Sequence, residues 1–327
     1  MKQSKARLNN NIRLRYFFVA VLAAGCYSAH ADNYAYVTNQ GDDNVAVVLL
    51  DQNKVITRIK VGHRPAGVVA SKDGQRVYVS NPESKNISVI DAINNTVINT
   101  IDAGDGPLGI TINPAGSKVY IADWYLNVVL VLDTNTLKIS SRIPVGKSPS
   151  GLAVSPDGKN LYVANRDDNN LMIVDTGTEE IINTLPVGKA PFGVTLSSNG
   201  KMLFVANVQS SDVSIINLQN MQTVSHVPVG LYPYAIAYEE LTNRIYVTNQ
   251  RDSSVSVIDL DTLKTIKTIE VGEYPEGIAM HPSGQYVYVA NWFDGTLSII
   301  DTENLTVIGE IESGEGSRAY GDFISSH

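Results

Sequence analysis

The chain has 327 residues, 43% hydrophobic and 18% charged, which is enough apolar content for a large packed core. Its 33 acidic side chains outnumber 25 Lys and Arg for a formal net charge of −8, a poor match for nucleic-acid phosphates or anionic membrane surfaces. The single cysteine, Cys26, excludes a disulfide framework. The five histidines, at 30, 63, 226, 281 and 327, lack metal-ligand spacing, so neither a metal nor a cofactor is expected.

The first 31 residues have a logic of their own. Lys2, Lys5, Arg7, Arg13 and Arg15 form a positive region without an acid, an apolar run covers 16–25, and Ala29-His30-Ala31 is an A-x-A cleavage signal. That pattern is a secretory signal peptide, and its apolar run is too short for a transmembrane helix. A second reading takes Leu22-Ala23-Ala24-Gly25-Cys26 as a lipoprotein box acylated at Cys26, although Ala23 stands where such boxes usually carry Leu. Cleavage after Ala31 removes five of the 25 cations and none of the 33 acids, leaving a net charge of −13 on 32–327. The exported protein is then expected in the periplasm or outside the cell, with no cysteine and no membrane insertion.

From residue 33 on, a tetrapeptide of the type Tyr36-Val37-Thr38-Asn39 recurs every 42 residues, beginning at Tyr36, Tyr78, Tyr120, Tyr162, Phe204, Tyr246 and Tyr288. Seven units of 42 make 294 residues, with no insertion or deletion between tetrapeptides. A fixed period in the 40s with strand-like content specifies the blades of a β-propeller. Each module reads as four short strands. The first is of the Gly277-Ile278-Ala279-Met280 type and the second of the Tyr288-Val289-Ala290-Asn291 type. The third follows Val255-Ser256-Val257-Ile258-Asp259, and the fourth runs from Thr265 to Val271. Turns such as Ser155-Pro156-Asp157-Gly158 place Pro where φ is near −65° and Gly where φ is positive, so the first two strands form a hairpin. The aromatic of each tetrapeptide is a packing residue, and the Asn that closes it supports the next turn. Asp123, which replaces that Asn in the third copy, is assigned the same structural part.

The frame of the repeats predicts how the ring closes. The chain enters on a second strand, at 34–38, and finishes on an unpaired first strand within 314–324. Shifting by 42 residues aligns Gly277 with Ala319 and Met280 with Asp322. The fold class is therefore all-β: a seven-bladed propeller of four-stranded antiparallel blades, closed by a C-terminal strand that becomes the innermost strand of the first blade. Helix is expected to be nearly absent after residue 31.

With its tetrapeptides and Val-Gly-x-x-Pro-x-Gly loops, residues 33–327 resemble the YVTN-repeat β-propeller proteins of bacterial periplasm and archaeal surface layers. The resemblance implies an exported seven-bladed propeller and no common catalytic motif. More distantly the architecture looks like that of lactonases, streptogramin-type lyases and propeller subunits of quinone-linked amine dehydrogenases, on fold alone.

Function is sought where the copies disagree. The residue after the loop Pro reads Ala66, Leu108, Ser150, Phe192, Tyr234 and Glu276, with Arg318 in register. The residue before that Pro reads Arg64, Gly106, Ser148, Ala190, Tyr232 and Tyr274. The residue after the tetrapeptide reads Gln40, Pro82, Trp124, Arg166, Val208, Gln250 and Trp292, the only position holding tryptophan. These columns share one face of the ring. Their large and charged members are the candidate binding residues: Arg64, Trp124, Phe192, Tyr232, Tyr234, Tyr274, Glu276, Trp292 and Arg318. They are expected to form an aromatic crescent at one channel mouth, open to a protein partner or small ligand. The alternative is that they fill the funnel, with Glu276 and Arg318 as a plain salt bridge.

Catalytic residues are not assigned. There is no G-x-S-x-G, no cysteine nucleophile and no phosphate loop before a helix. His63 beside Arg64 and Glu276 is better read as solvated than as an acid–base group, and the acid pairs Asp42-Asp43 and Asp167-Asp168 lack calcium-loop spacing. The leading expectation is a binding scaffold without chemistry of its own. The rival is an enzyme, either an accessory subunit of a quinone- or haem-linked dehydrogenase or a lactonase- or lyase-like propeller.

Overall fold

Each 42-residue module folds into one four-stranded antiparallel sheet. Seven such sheets account for nearly all of residues 32–326, the part that the computed structural model describes. The expected signal peptide or lipoprotein leader, 1–31, lies outside the described residues. The blade built on Tyr288 runs Pro275–Met280, Tyr286–Asn291, Thr296–Asp301 and Thr306–Glu312 from the channel outwards. Its second and third strands are buried on both faces between neighbouring blades, while the outer strand is mostly exposed. Among the described residues the helical segments are the 3-10 turns Leu50–Gln52, Arg166–Asp168 and Gln250–Asp252, and none is long and apolar enough to cross a membrane.

The tetrapeptides build the space between blades. Their seven aromatics are at most 2% exposed, each filling the gap between its own sheet and a neighbour. The closing Asn pins the second strand to the third. Asn207 Nδ2, for example, donates to Asp212 Oδ1 at 2.6 Å and Ser214 Oγ at 2.9 Å, and Asn249 reaches Ser254 and Ser256 in the same way. These bonds go to side chains five and seven residues on, rather than to the turn backbone. In the third copy both partners change. Asp123 accepts amides from Asp105, Gly106, Tyr125 and Leu126 at 2.7–3.2 Å, and the residue five positions on is Val128, which offers no acceptor. An acceptor-only carboxylate needs no oxygen there.

Near the axis the inner strands come very close. A Cβ on Gly109 would lie 1.8 Å from the carbonyl oxygen of Ser150, and one on Gly151 would lie 2.0 Å from that of Phe192. Both obstructions are backbone, so no side chain fits at these positions. Five of the seven blades carry Gly here (67, 109, 151, 193 and 277), and the other two carry Ala235 and Ala319.

The ring closes between chain ends, but in a register the 42-residue shift does not give. Ser317 stands opposite Asn39 and Ile324 opposite Ala35, so the closing segment advances seven residues while its partner advances four. In the blade of Tyr288 the corresponding span, Pro275 to Met280 against Asn291 to Val287, is five against four. Two extra residues are therefore accommodated, and Ile324 rather than Asp322 takes the place of Met280. The excess forms a bulge with Ala319 at φ 46° and Gly321 at φ 121°. Through it the segment bonds to three blades. The amide of Gly277 donates to Arg318 O at 2.8 Å and that of Tyr36 to Phe323 O at 2.9 Å. Those of Val68 and Ala70 donate to Tyr320 O and Asp322 O at 2.8 and 3.0 Å.

Two outcomes are expected. Deleting 315–327 removes the buried Tyr320 and Phe323. Each large core side chain lost costs about 2–5 kcal/mol, against the ~5–15 kcal/mol that holds a domain folded. The truncated chain should fail to accumulate as soluble monomer, and melting within a few degrees of the full chain would show that closure lies elsewhere. The second concerns alkali. Burial pushes the phenols of Tyr120, Tyr162 and Tyr288 up to about 12 from an ordinary 10.0. A group whose acidity is suppressed by folding stabilises the fold below its unfolded value and loses that contribution as pH rises through the folded one. Unfolding free energy in denaturant should thus hold to about pH 10 and fall by pH 12, by at most about 2 kcal/mol for each such tyrosine, and Tyr162→Phe should flatten the fall.

Candidate functional site

Of the residues just before the inner-strand glycine or alanine, Leu108, Phe192, Tyr234, Glu276 and Arg318 line the channel mouth, whereas Ser150 turns its hydroxyl to the carbonyls of Ala164 and Pro191. On this face the channel opens into a cavity of about 480 Å³. Seven candidates line it: Arg64, Trp124, Phe192, Tyr234, Tyr274, Glu276 and Arg318, joined by Gln40, Glu83, Leu108, Tyr125 and Gln250. Tyr232 and Trp292 do not. Tyr232 lies under the guanidinium of Arg251, 4.1 Å from ring centre to Cζ. Trp292 donates from Nε1 to Gln40 Oε1 at 3.0 Å and packs beside Tyr274 and Phe293. Arg64, Tyr232 and Tyr274 share a left-handed backbone (φ 51°, 57° and 57°), uncommon for such large side chains and set by the repeated loop.

The candidates separate by depth. Phe192 and Tyr234 are only 5% exposed. Their rings stack at 4.1 Å, and Tyr320 packs against both, at 5.1 and 5.5 Å between centroids. Tyr320 also donates its hydroxyl to Phe192 O at 3.3 Å. This three-ring plug forms the floor of the mouth and separates it from a second cavity of about 480 Å³ at the opposite end, where Lys72, Thr195, Tyr320 and Asp322 are found. Tyr320 escapes a reading by periodicity because the two-residue excess in the closing strand throws it into the channel. Trp124 and Tyr274 stand higher and are half-buried.

Glu276 and Arg318 lie at the base of the mouth. Arg318 Nη2 donates to Tyr234 Oη, and Gln250 Nε2 donates to Glu276 Oε1 at 2.9 Å. Arg318 Nε and Glu276 Oε2 are 2.7 Å apart as an ion pair, but the N–H does not point along that line, so neither atom completes a directed hydrogen bond. Burial raises the Glu276 carboxyl above its ordinary range, opposed by Arg318 and by the Gln250 bond. Burial also works against the charge of Arg318, yet the nearby carboxylate and Tyr234 hold its affinity for the proton above the ordinary value. The pair is charged, because arginine keeps its proton and a neutral Glu276 would leave a buried guanidinium without a counter-charge. Burial likewise raises the phenols of Tyr234 and Tyr320. Across the mouth Arg64 and Glu83 form a second, exposed pair at 3.1 Å.

The other sequence candidates have local partners. His63 Nδ1 lies 2.8 Å from Asp43, which also accepts the amide of Arg64 at 2.8 Å. Asp42 and Asp168 accept the amides of Glu315 and Lys147, and Asp167 accepts the hydroxyl of Ser148. These carboxylates tie neighbouring loops together.

Breaking the buried pair should be costly on one side only. Arg318→Met strands Glu276 and is expected to lower unfolding free energy in urea by about 3–5 kcal/mol, whereas adding Glu276→Leu should restore most of it. Equal stability of the single and double variants would show that the charges are not coupled.

The fold and mouth define a seven-bladed β-propeller with a plugged channel, and comparisons with known proteins agree at that level. Three family models match parts of the chain: "Lactonase, 7-bladed beta-propeller" over 96–227, "YNCE-like beta-propeller" over 9–156, and "Cytochrome D1 heme domain" over 234–318. Each covers less than half of it. No curated protein matches. Among solved structures, Kuenenia stuttgartiensis hydrazine synthase superposes with a TM-score of 0.74 at 22% identity, over 82% of this chain and 92% of that one. A functionally unknown protein from Desulfotomaculum acetoxidans gives 0.76 at 17% identity, over 88% of this chain and 100% of that one. The dihydro-heme d1 dehydrogenase NirN in complex with DHE gives 0.68 at 19% identity, over 86% of this chain but only 63% of its own length. At these identities the likeness is one of fold.

Proposed function

We propose that this chain is an exported YVTN-type propeller that binds a protein partner or small ligand at the plugged mouth and performs no chemistry of its own. One observation carries the reading. Repeats that agree in strands, turns and packing diverge at the columns that line this cavity, and there they place half-buried aromatics over a rigid, buried Glu276–Arg318 pair. Aromatic anchors beside a desolvated charge pair are the usual make-up of a binding hot spot. Export rests on the positive, apolar and A-x-A pattern of 1–31.

The rival enzyme reading takes support from the cytochrome D1 match over 234–318, which begins at Tyr234 and ends at Arg318. The mouth lining contains no histidine, cysteine or methionine, and the haem-ligating residue type it offers is tyrosine, as Tyr125, Tyr234 and Tyr274. An absorption spectrum of protein from its own host separates the readings, since a stoichiometric chromophore would favour the rival.

The direct test is affinity capture from extracts of the host with wild type and with a Trp124→Ala, Tyr274→Ala double variant. A partner or ligand should be retained by the first and lost by the second. Identical recoveries would defeat the proposal.

A further inference from the structure

This inference rests on the mouth being a binding site and concerns what it takes. We propose that the occupant is a neutral saccharide, one sugar ring of which sits over the Glu276–Arg318 pair. Three features of the cavity converge on that chemistry.

The first is charge. Two cations and two carboxylates face the mouth, already matched as Arg64 with Glu83 at 3.1 Å and Arg318 with Glu276 at 2.7 Å. A charged ligand must compete with a partner already in place, and separating a buried pair is strongly unfavourable. A neutral ligand leaves both pairs intact.

The second is hydrogen bonding. Arg318 spends one donor on Tyr234 and directs Nε imperfectly at Glu276, so a planar guanidinium with unspent donors adjoins a carboxylate. A hydroxyl both donates and accepts, and two neighbouring hydroxyls can bridge a guanidinium and a carboxylate at once. A carboxylate or ammonium ligand satisfies only half of that edge.

The third is the walls. Trp124 and Tyr274 are half-buried and line the mouth, Trp124 with the Arg166 guanidinium 5.7 Å from its ring centre. The C–H face of a pyranose is apolar, while its equatorial rim is polar. Such a ring covers an aromatic face and presents hydroxyls to the charged base together. The volume, about 480 Å³, lies within the ~300–1,000 Å³ of small-molecule sites.

The experiment is a glycan array carrying neutral and acidic oligosaccharides, probed with protein purified from its host. Calorimetry with the free oligosaccharide then follows up each hit. Neutral glycans should bind, with affinity changing less than about twofold between 50 and 500 mM NaCl, because no net charge is neutralised. Trp124→Ala should weaken binding at least about tenfold while its melting temperature stays near wild type. Binding confined to acidic glycans, a steep salt dependence, indifference to Trp124→Ala or a blank array would each overturn the saccharide. A blank array with capture still abolished by the double variant removes the saccharide and leaves the binding reading standing. A blank array with unchanged capture removes both.

Discussion

The approach of neighbouring inner strands at the axis governs everything else in this molecule. Where the Cα of Gly109 meets the carbonyl of Ser150, and that of Gly151 the carbonyl of Phe192, no side chain fits. The chain holds glycine there in five blades and alanine, the smallest side chain, in the other two. That closeness fixes the ring's inner radius and, in most blades, turns the preceding residue into the channel. It is also why the preceding residue is free to differ. Ala66, Leu108, Ser150, Phe192, Tyr234, Glu276 and Arg318 occupy equivalent backbone positions, but the channel is shared, so each has to suit the others rather than its own blade. The buried ion pair and the aromatic stack are two results of that freedom.

Closure obeys a different constraint. A ring cut between first and second strands needs its ends joined without an open edge. The closing segment meets that need by bonding to the first blade, the second and the seventh. Its two extra residues would be a fault in an interior blade, where both faces are packed. At the seam they have the channel to enter, and Tyr320 does so. The plug under the mouth is thus a by-product of how the circle is sealed.

Much of this was legible from residues alone. The 42-residue spacing of seven tetrapeptides specified blades, strand number and the donated strand, since any error of register would expose a full face of every sheet. The variable columns were legible too, because repetition supplies its own background. Depth was not. Phe192, Tyr234 and Trp292 look alike as aromatics in variable columns, yet two are stacked in the channel and one hydrogen-bonds across a loop to Gln40. Under the shift of 42 Tyr320 falls on an ordinary strand position, and that shift holds only while the period does. The part of Asp123 was legible as structural, but its pairing with Val128, five residues on, was not. A pattern of donors and acceptors in three dimensions gives that pairing its meaning.

The seam also sets a schedule. Ser317 bonds to Asn39 across 278 residues. On a ribosome adding about 5–20 residues per second, the first blade waits roughly 15–55 s for its fourth strand. During that interval its inner edge is an unpaired strand with the apolar run Tyr34-Ala35-Tyr36-Val37, the kind of edge from which sheets of different chains join. The risk to this protein therefore falls in its making rather than in its finished state. Whatever shields residues 33–39 during that wait, whether a chaperone or confinement in a channel, matters more to its yield than any contact that the closed ring makes later.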